Sequence, residues 1–102
     1  MSSVTVTITL SNGVYQYSNS PNQTTYTSPS VTFQNNSGGG ITVYYRWSNA
    51  ALTHNMNCAN NGSGGPVSSA TNQGNLECNA VAQGGANPLG WAHVIHVGSG
   101  MP

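Results

Sequence analysis

The sequence predicts an all-β chain that folds as a single antiparallel β-sandwich, of the jelly-roll or immunoglobulin-like kind, over residues 1–102. About seven short segments alternate between apolar and polar residues, which is the period of a half-buried strand. Clusters of Gly, Asn, Ser and Pro separate these segments, and no stretch has the period of an ordinary helix. At 102 residues the chain has the size of one domain.

The N-terminal segment predicts a β-hairpin with a defined register. Residues 4–11 alternate between Val, Ile or Leu and Thr or Ser. Asn-Gly at 12–13 is the strongest short signal for a two-residue hairpin loop, because both loop positions require φ > 0. Such a loop places Ile8 opposite Tyr17 and puts the apolar side chains of both strands on one face, so turn chemistry and hydrophobic pattern agree.

Residues 41–48 predict the central strand of the fold. The segment reads Ile-Thr-Val-Tyr-Tyr-Arg-Trp-Ser, and its alternate residues fall on opposite faces. We expect Trp47 to lie in the core. Tyr44 and Arg46 share the opposite face, which makes them the better candidates for exposed contacts.

The remaining strands are shorter and are separated by polar loops. Strands are predicted at 30–34, 52–58, 76–82 and 91–97, with a short one near 25–26. Residues 35–40, rich in Asn and Gly, predict a flexible hairpin tip that leads back into the central strand. Residues 59–73 contain Pro66 and many Asn, Gly and Ser residues, and they predict a long loop.

The chain is almost without charge, and this excludes several kinds of chemistry. Charged residues make up 2% of it, namely Arg46 and Glu77. Glycosidases require a pair of carboxylates, and calcium sites require several. A P-loop requires a lysine, and one arginine cannot neutralise a nucleic-acid backbone, so we expect no nucleic-acid partner. Arg46 and Glu77 either pair across neighbouring strands or lie apart on the surface.

The N-terminus shows neither a signal peptide nor an apolar run long enough to cross a membrane. The polar, uncharged composition favours an extracellular or cell-surface protein. Such a protein is then exported without a visible leader, or the chain is a mature form with an added Met. A cytoplasmic location stays open.

Two cysteines predict one disulfide. Cys58 and Cys78 flank the long polar loop, and closing that loop would stabilise the fold by about 3 kcal/mol. An even cysteine count in an extracellular chain favours this interpretation. In a reducing compartment, two buried thiols would be the expectation instead.

Soft ligands suggest an alternative function as a copper or zinc protein or as a Cys/His-dependent enzyme. The candidate ligands are His54, Met56, Cys58, Cys78, His93, His96 and Met101. A blue-copper site needs Cys, His and Met within one short loop, and Cys78 has neither partner nearby. His93 and His96 are an odd number of residues apart, so we expect one half-buried and one exposed histidine. No metal or cofactor is therefore predicted.

The favoured function is non-enzymatic, either binding of neutral carbohydrate in the manner of a lectin or self-assembly into a homo-oligomer. Exposed aromatic rings can stack on sugars, and amide side chains can bond their hydroxyls. Edge strands without charged residues favour strand-to-strand association. The predicted ligand contacts are Tyr44, Arg46, Trp91 and His93.

Overall fold

The chain is all-β, as the alternation predicted. A computed structural model describes residues 2–27, 29–68, 74–88 and 90–98. These residues form ten strands and no helix: β1 (Ser2–Ser11), β2 (Val14–Ser20), β3 (Tyr26–Thr27), β4 (Pro29–Asn35), β5 (Ile41–Trp47), β6 (His54–Cys58), β7 (Ser63–Ser68), β8 (Leu76–Ala82), β9 (His93–Ile95) and β10 (Val97–Gly98). Accordingly, the described part of the chain includes no helix with the length and apolarity needed to cross a membrane.

Two four-stranded sheets contribute to a common core. The first sheet has the strand order β2-β1-β4-β7, the second has the order β6-β5-β8-β9, and β10 pairs with β3 in a small third sheet. One hydrophobic cluster joins side chains from both larger sheets, including Val6, Phe33, Val43 and Leu76, each fully buried. Burial of these apolar faces against each other stabilises the fold.

Two strand pairs depart from the predicted antiparallel arrangement. β1 pairs with β4 in parallel, and β10 pairs with β3 in parallel. The reason lies in the path of the chain. β2 runs back along β1 and ends beside Thr5, near the start of β1, and β4 begins opposite Ser2. A strand that starts there and pairs with the other edge of β1 must run in the same direction as β1.

The hairpin prediction is confirmed in its register. Ile8 lies opposite Tyr17, as the two-residue loop requires. Asn12 and Gly13 have φ values of 53° and 78°. Both values are those of a two-residue loop whose backbone twist matches that of the flanking strands.

The connection at residues 35–40 is not a hairpin tip, because β4 and β5 belong to different sheets. Asn35 organises this crossover from a fully buried position. Its Nδ2 donates to the carbonyls of Gly39 at 2.7 Å and Cys58 at 3.0 Å, and its Oδ1 accepts from the backbone N–H of Ser37 at 3.0 Å. A buried amide with several partners holds the turn in one conformation.

The predicted loop at 59–73 contains a strand, β7, in its described part. β7 is an edge strand of the first sheet, where a proline such as Pro66 is tolerated because its missing N–H has no neighbour to bond. Its register against β4 shifts beside Gly65, which has a φ of 105°. Residues 69–73 lie outside the described residues.

The central strand is confirmed, since β5 lies between β6 and β8 in the second sheet and buries Trp47 to 6% exposure. β8 has the predicted bounds, and β4 extends the segment predicted at 30–34. The segment predicted as one closing strand at 91–97 is divided. β9 pairs with β8, whereas β10 leaves the second sheet and pairs with β3.

The structure contradicts the predicted disulfide, because Cys58 and Cys78 are separate buried thiols. They lie on opposite sides of β5, Cys58 across from Ile41 and Cys78 across from Tyr45. Two strand spacings and four residues along the strand separate their Cα atoms by about 16 Å. A disulfide requires a Cα separation below about 7 Å. Sequence spacing alone could not show that another strand lies between them.

Candidate functional site

An open cleft lies between the end of the β1–β2 hairpin and the segment that precedes β9. Its volume is about 500 Å³, within the range of small-ligand sites. It is lined by Gly13, Val14, Tyr15, Tyr17, Asn79, Ala80, Pro88, Gly90, Trp91 and Ala92. Three of these residues are aromatic and none is Asp, Glu, Lys, Arg or His. The cleft is therefore an apolar and aromatic site without charge.

The cleft exists because β9 is shorter than its neighbour β8. β9 begins at His93, which pairs with Cys78, so the rest of β8 has no strand beside it on that edge. The backbone N–H of Ala80 instead donates to the Tyr17 hydroxyl at 2.8 Å. A side chain from the first sheet thus satisfies a main-chain donor of the second.

Asn79 fixes the backbone on both sides of Trp91. Its side chain is 3% exposed. Its Nδ2 donates to the carbonyl of Gly90 at 2.5 Å, and its Oδ1 accepts from the N–H of Ala92 at 2.6 Å. These two bonds replace the ladder contacts that a longer β9 would have made, so the tryptophan occupies a defined position without belonging to a strand.

Arg46 lies against the ring of Trp91. Its guanidinium carbon is 5.3 Å from the ring centroid, which is the geometry of a cation–π contact. Arg46 is cross-strand neighbour to Glu77, and its Nη2 is 2.9 Å from Glu77 Oε1. Of the two arrangements left open for the charged residues, the structure shows the cross-strand pair. The pair holds the guanidinium behind the ring.

The four predicted ligand contacts do not form one group. Tyr44 and Arg46 lie on the outer face, where the Tyr44 hydroxyl donates to the carbonyl of Gly85 at 2.7 Å. Trp91 contacts this group through Arg46 and also lines the cleft. His93 belongs to the inner face, because it is the cross-strand neighbour of the buried Cys78. The structure thus places Arg46 against Trp91, with Tyr44 on the same face of β5, and separates His93 from them.

His93 supports one wall of the cleft from behind. Its ring stacks on Tyr17 with 5.1 Å between centroids and an interplanar angle of 8°. Its Nε2 is 2.9 Å from Asn19 Oδ1. Burial, and after it the nearby His96, lower the pKa of His93. His96 is exposed and His93 is half-buried, which confirms the expectation for the pair.

Burial raises the pKa of the Tyr17 hydroxyl, which therefore stays protonated at neutral pH. The lowered pKa of His93 leaves that imidazole neutral in the same range. Burial disfavours the charged form of each group, which accounts for both directions. Tyr17, which forms a wall of the cleft, and His93, which stacks on it, are therefore both uncharged at neutral pH.

No protein family, curated protein or solved structure matches this chain.

The soft-ligand alternative receives no support from the described residues. They contain no group of three or more His, Cys, Asp or Glu side chains that could hold a metal ion. Cys78 and His93 are neighbours across strands, but burial raises the pKa of Cys78 to about 12. The thiol stays protonated at neutral pH, whereas a cysteine nucleophile must be a thiolate. Met101 lies outside the described residues.

The four contacts predicted from sequence did not include Tyr15, Tyr17 or Asn79. The Asn-Gly hairpin signal places both tyrosines on one face, and that signal was available. Their proximity to the segment around Trp91 depends on how the two sheets stack. Asn79 alternates with core residues in its strand, and no local pattern distinguishes it from any other outward-facing amide.

Proposed function

We propose that the protein is a non-enzymatic binding protein for neutral carbohydrate and that the ligand occupies the cleft between the hairpin and Trp91. The observation that supports this most strongly is the lining of the cleft. It combines aromatic rings with a volume of about 500 Å³ and has no ionised group. Aromatic surfaces beside a few polar groups are typical of small-ligand sites.

Trp91 and Tyr15 act as platforms for the sugar in this proposal. Both are partly exposed and line the cleft. The C–H bonds on one face of a pyranose are weakly positive, and the faces of aromatic rings are negative. Stacking against the rings therefore attracts a sugar without requiring charge on either partner. The Tyr15 hydroxyl and exposed main-chain groups can bond the sugar hydroxyls.

Arg46 and Asn79 have a supporting role. Asn79 fixes the backbone around Trp91 and Arg46 fixes its ring. A platform that is already in place loses little conformational entropy when the ligand binds. Of the residues predicted from sequence, Trp91 is then a ligand contact and Arg46 a positioning residue. An extracellular or cell-surface location suits such a ligand and forms part of the proposal.

The test begins with a screen of the purified protein on an array of neutral and charged glycans. Positive sugars are then titrated in solution while tryptophan fluorescence is followed. Trp91 is partly exposed, whereas Trp47 is 6% exposed, so changes on binding should come from Trp91. Trp91→Ala and Tyr15→Ala should each weaken binding at least about tenfold, which corresponds to about 1.4 kcal/mol.

Leu52→Ala serves as the control. Leu52 is 64% exposed and does not line the cleft, so this variant also removes exposed apolar surface but should bind normally. Selective loss of binding in the two aromatic variants supports the proposal. The proposal is refuted if the array shows no neutral glycan, or if Leu52→Ala weakens binding as much as Trp91→Ala does.

A further inference from the structure

β2 is an edge strand with a long, uninterrupted free side. It forms one end of the first sheet, and no other described strand lies beside it. All seven of its residues pair with β1. Ser11 and Val14 close the two-residue loop as a hydrogen-bonded pair, so alternate residues of β2 bond to β1. The main-chain N–H and C=O groups of the residues between them point outward: Tyr15, Tyr17 and Asn19.

The other edges of the two large sheets are shorter or interrupted. β7 contains Pro66 and a shift of register. β9 has three residues and β6 has five. Sheets commonly protect exposed edges with charged side chains, prolines or bulges. β2 has none of these, because the chain's one arginine and one glutamate pair with each other on the second sheet.

We infer that two copies of the chain associate through β2. The strands pair antiparallel about a two-fold axis at Tyr17, and the first sheets of the two copies become one continuous sheet. Each outward-facing residue of β2 then exchanges both of its main-chain hydrogen bonds with the other copy. A second copy fits this edge because a symmetric pairing offers donors opposite acceptors along the whole strand, with no charge to oppose it.

The association has a consequence for the cleft that rests on the proposed function. Tyr15 and Tyr17 belong to β2 and also line the cleft, so the pairing places two clefts along the joined edge. A branched or repeated glycan that reaches both clefts would bind by avidity, more tightly than either cleft alone. The association itself does not depend on sugar binding.

Two exposed positions test the pairing without touching the cleft. Gln16 and Ser18 lie on the solvent face of β2 and do not line the cleft. In the symmetric pairing, Gln16 of one copy lies opposite Ser18 of the other. Gln16→Lys with Ser18→Lys therefore places like charges opposite each other twice, and Gln16→Glu with Ser18→Glu does the same. Each double variant should raise the dissociation constant about tenfold or more.

The decisive measurement is sedimentation velocity over a wide range of protein concentration. Wild-type protein should dimerise as concentration rises, each double variant should stay monomeric where wild type is dimeric, and an equimolar mixture of the two should restore a dimer. Ser63→Lys with Ser68→Lys adds the same charge to exposed positions of β7 and should dimerise like wild type. Far-UV circular dichroism verifies that every variant is folded.

The inference is overturned if wild type is monomeric at all concentrations, if the β7 variant dissociates as readily as the β2 variants, or if the mixture fails to associate. These experiments contain no sugar. A failure of the inference is therefore distinct from a failure of the proposed carbohydrate site.

Discussion

Substitution of Asn79 by alanine tests whether one buried amide holds the tryptophan of the cleft. Asn79 bonds the main chain of Gly90 and Ala92, the two residues that flank Trp91. Asn79→Ala removes both bonds and leaves a carbonyl and an N–H without their partner. The strand pairing of Asn79 with Tyr44 uses only main-chain atoms, so the sheet itself should persist.

The magnitude follows from the two lost hydrogen bonds. A typical intramolecular hydrogen bond contributes about 1 kcal/mol net. We therefore expect Asn79→Ala to lower the free energy of unfolding by about 2 kcal/mol. For a domain of this size, that loss corresponds to a fall in Tm of about 10 °C. The segment around Trp91 should move away from β8 in the native protein, and the indole should become more accessible to solvent.

Chemical denaturation measures the first effect, and quenching of tryptophan fluorescence by acrylamide measures the second. Trp47 is buried and supplies a constant background, so added quenching reports on Trp91. Asn55→Ala is the matched control, because Asn55 is an exposed amide on β6, the edge strand at the far side of the same sheet. Unchanged quenching in Asn79→Ala, or an equal loss of stability in Asn55→Ala, would refute the role assigned to Asn79.

Three further predictions concern the ionisable groups. In a double-mutant cycle of Glu77→Gln and Arg46→Met, the coupling energy between the two residues should be at most about 1 kcal/mol, because the pair is partly exposed. Added salt should lower this coupling energy. A larger coupling energy that salt does not change would contradict the prediction. Burial lowers the pKa of His93 below its ordinary 6.5, so the unfolded chain binds its proton more readily. The stability that neutral His93 contributes should be complete above about pH 6.5 and should decline as pH falls through the folded pKa. The free energy of unfolding, measured by denaturation at several pH values, should therefore depend less on pH in His93→Gln than in the wild type. Finally, Cys58 and Cys78 should react with a thiol reagent in denaturant and resist it in the native state, because burial raises the pKa of both thiols. A disulfide between them, detected by intact-mass analysis of the native protein, would contradict the structure.

The sequence predicts strands best where local chemistry decides the outcome. The register of Ile8 against Tyr17 follows from a two-residue loop that only residues such as Asn and Gly form readily. β8 follows from its alternation and its flanking loops. β7 was missed because its Gly and Pro residues suggest a loop. They are compatible with a strand only at a sheet edge, and edge position is a property of the whole fold.

The candidate site depends on contacts that no local pattern encodes. Trp91 was predicted as a contact because of its ring alone. Its position results from Asn79 on a neighbouring strand and from Arg46 on the next one. His93 was assigned to the ligand, but it lies behind Tyr17, since odd and even positions of β9 face different sides of the sheet. The register of β9 against β8 decides which side each residue faces, and no local pattern in residues 91–97 fixes that register.

The ion pair between Arg46 and Glu77 determines how the protein should respond to ionic strength. Apart from its histidines and chain ends, the molecule has no other ionic side chain for dissolved electrolytes to screen. Sugar binding at the proposed cleft should therefore respond to ionic strength only through the Arg46–Glu77 pair that positions Trp91, and the proposed pairing through β2 should respond little.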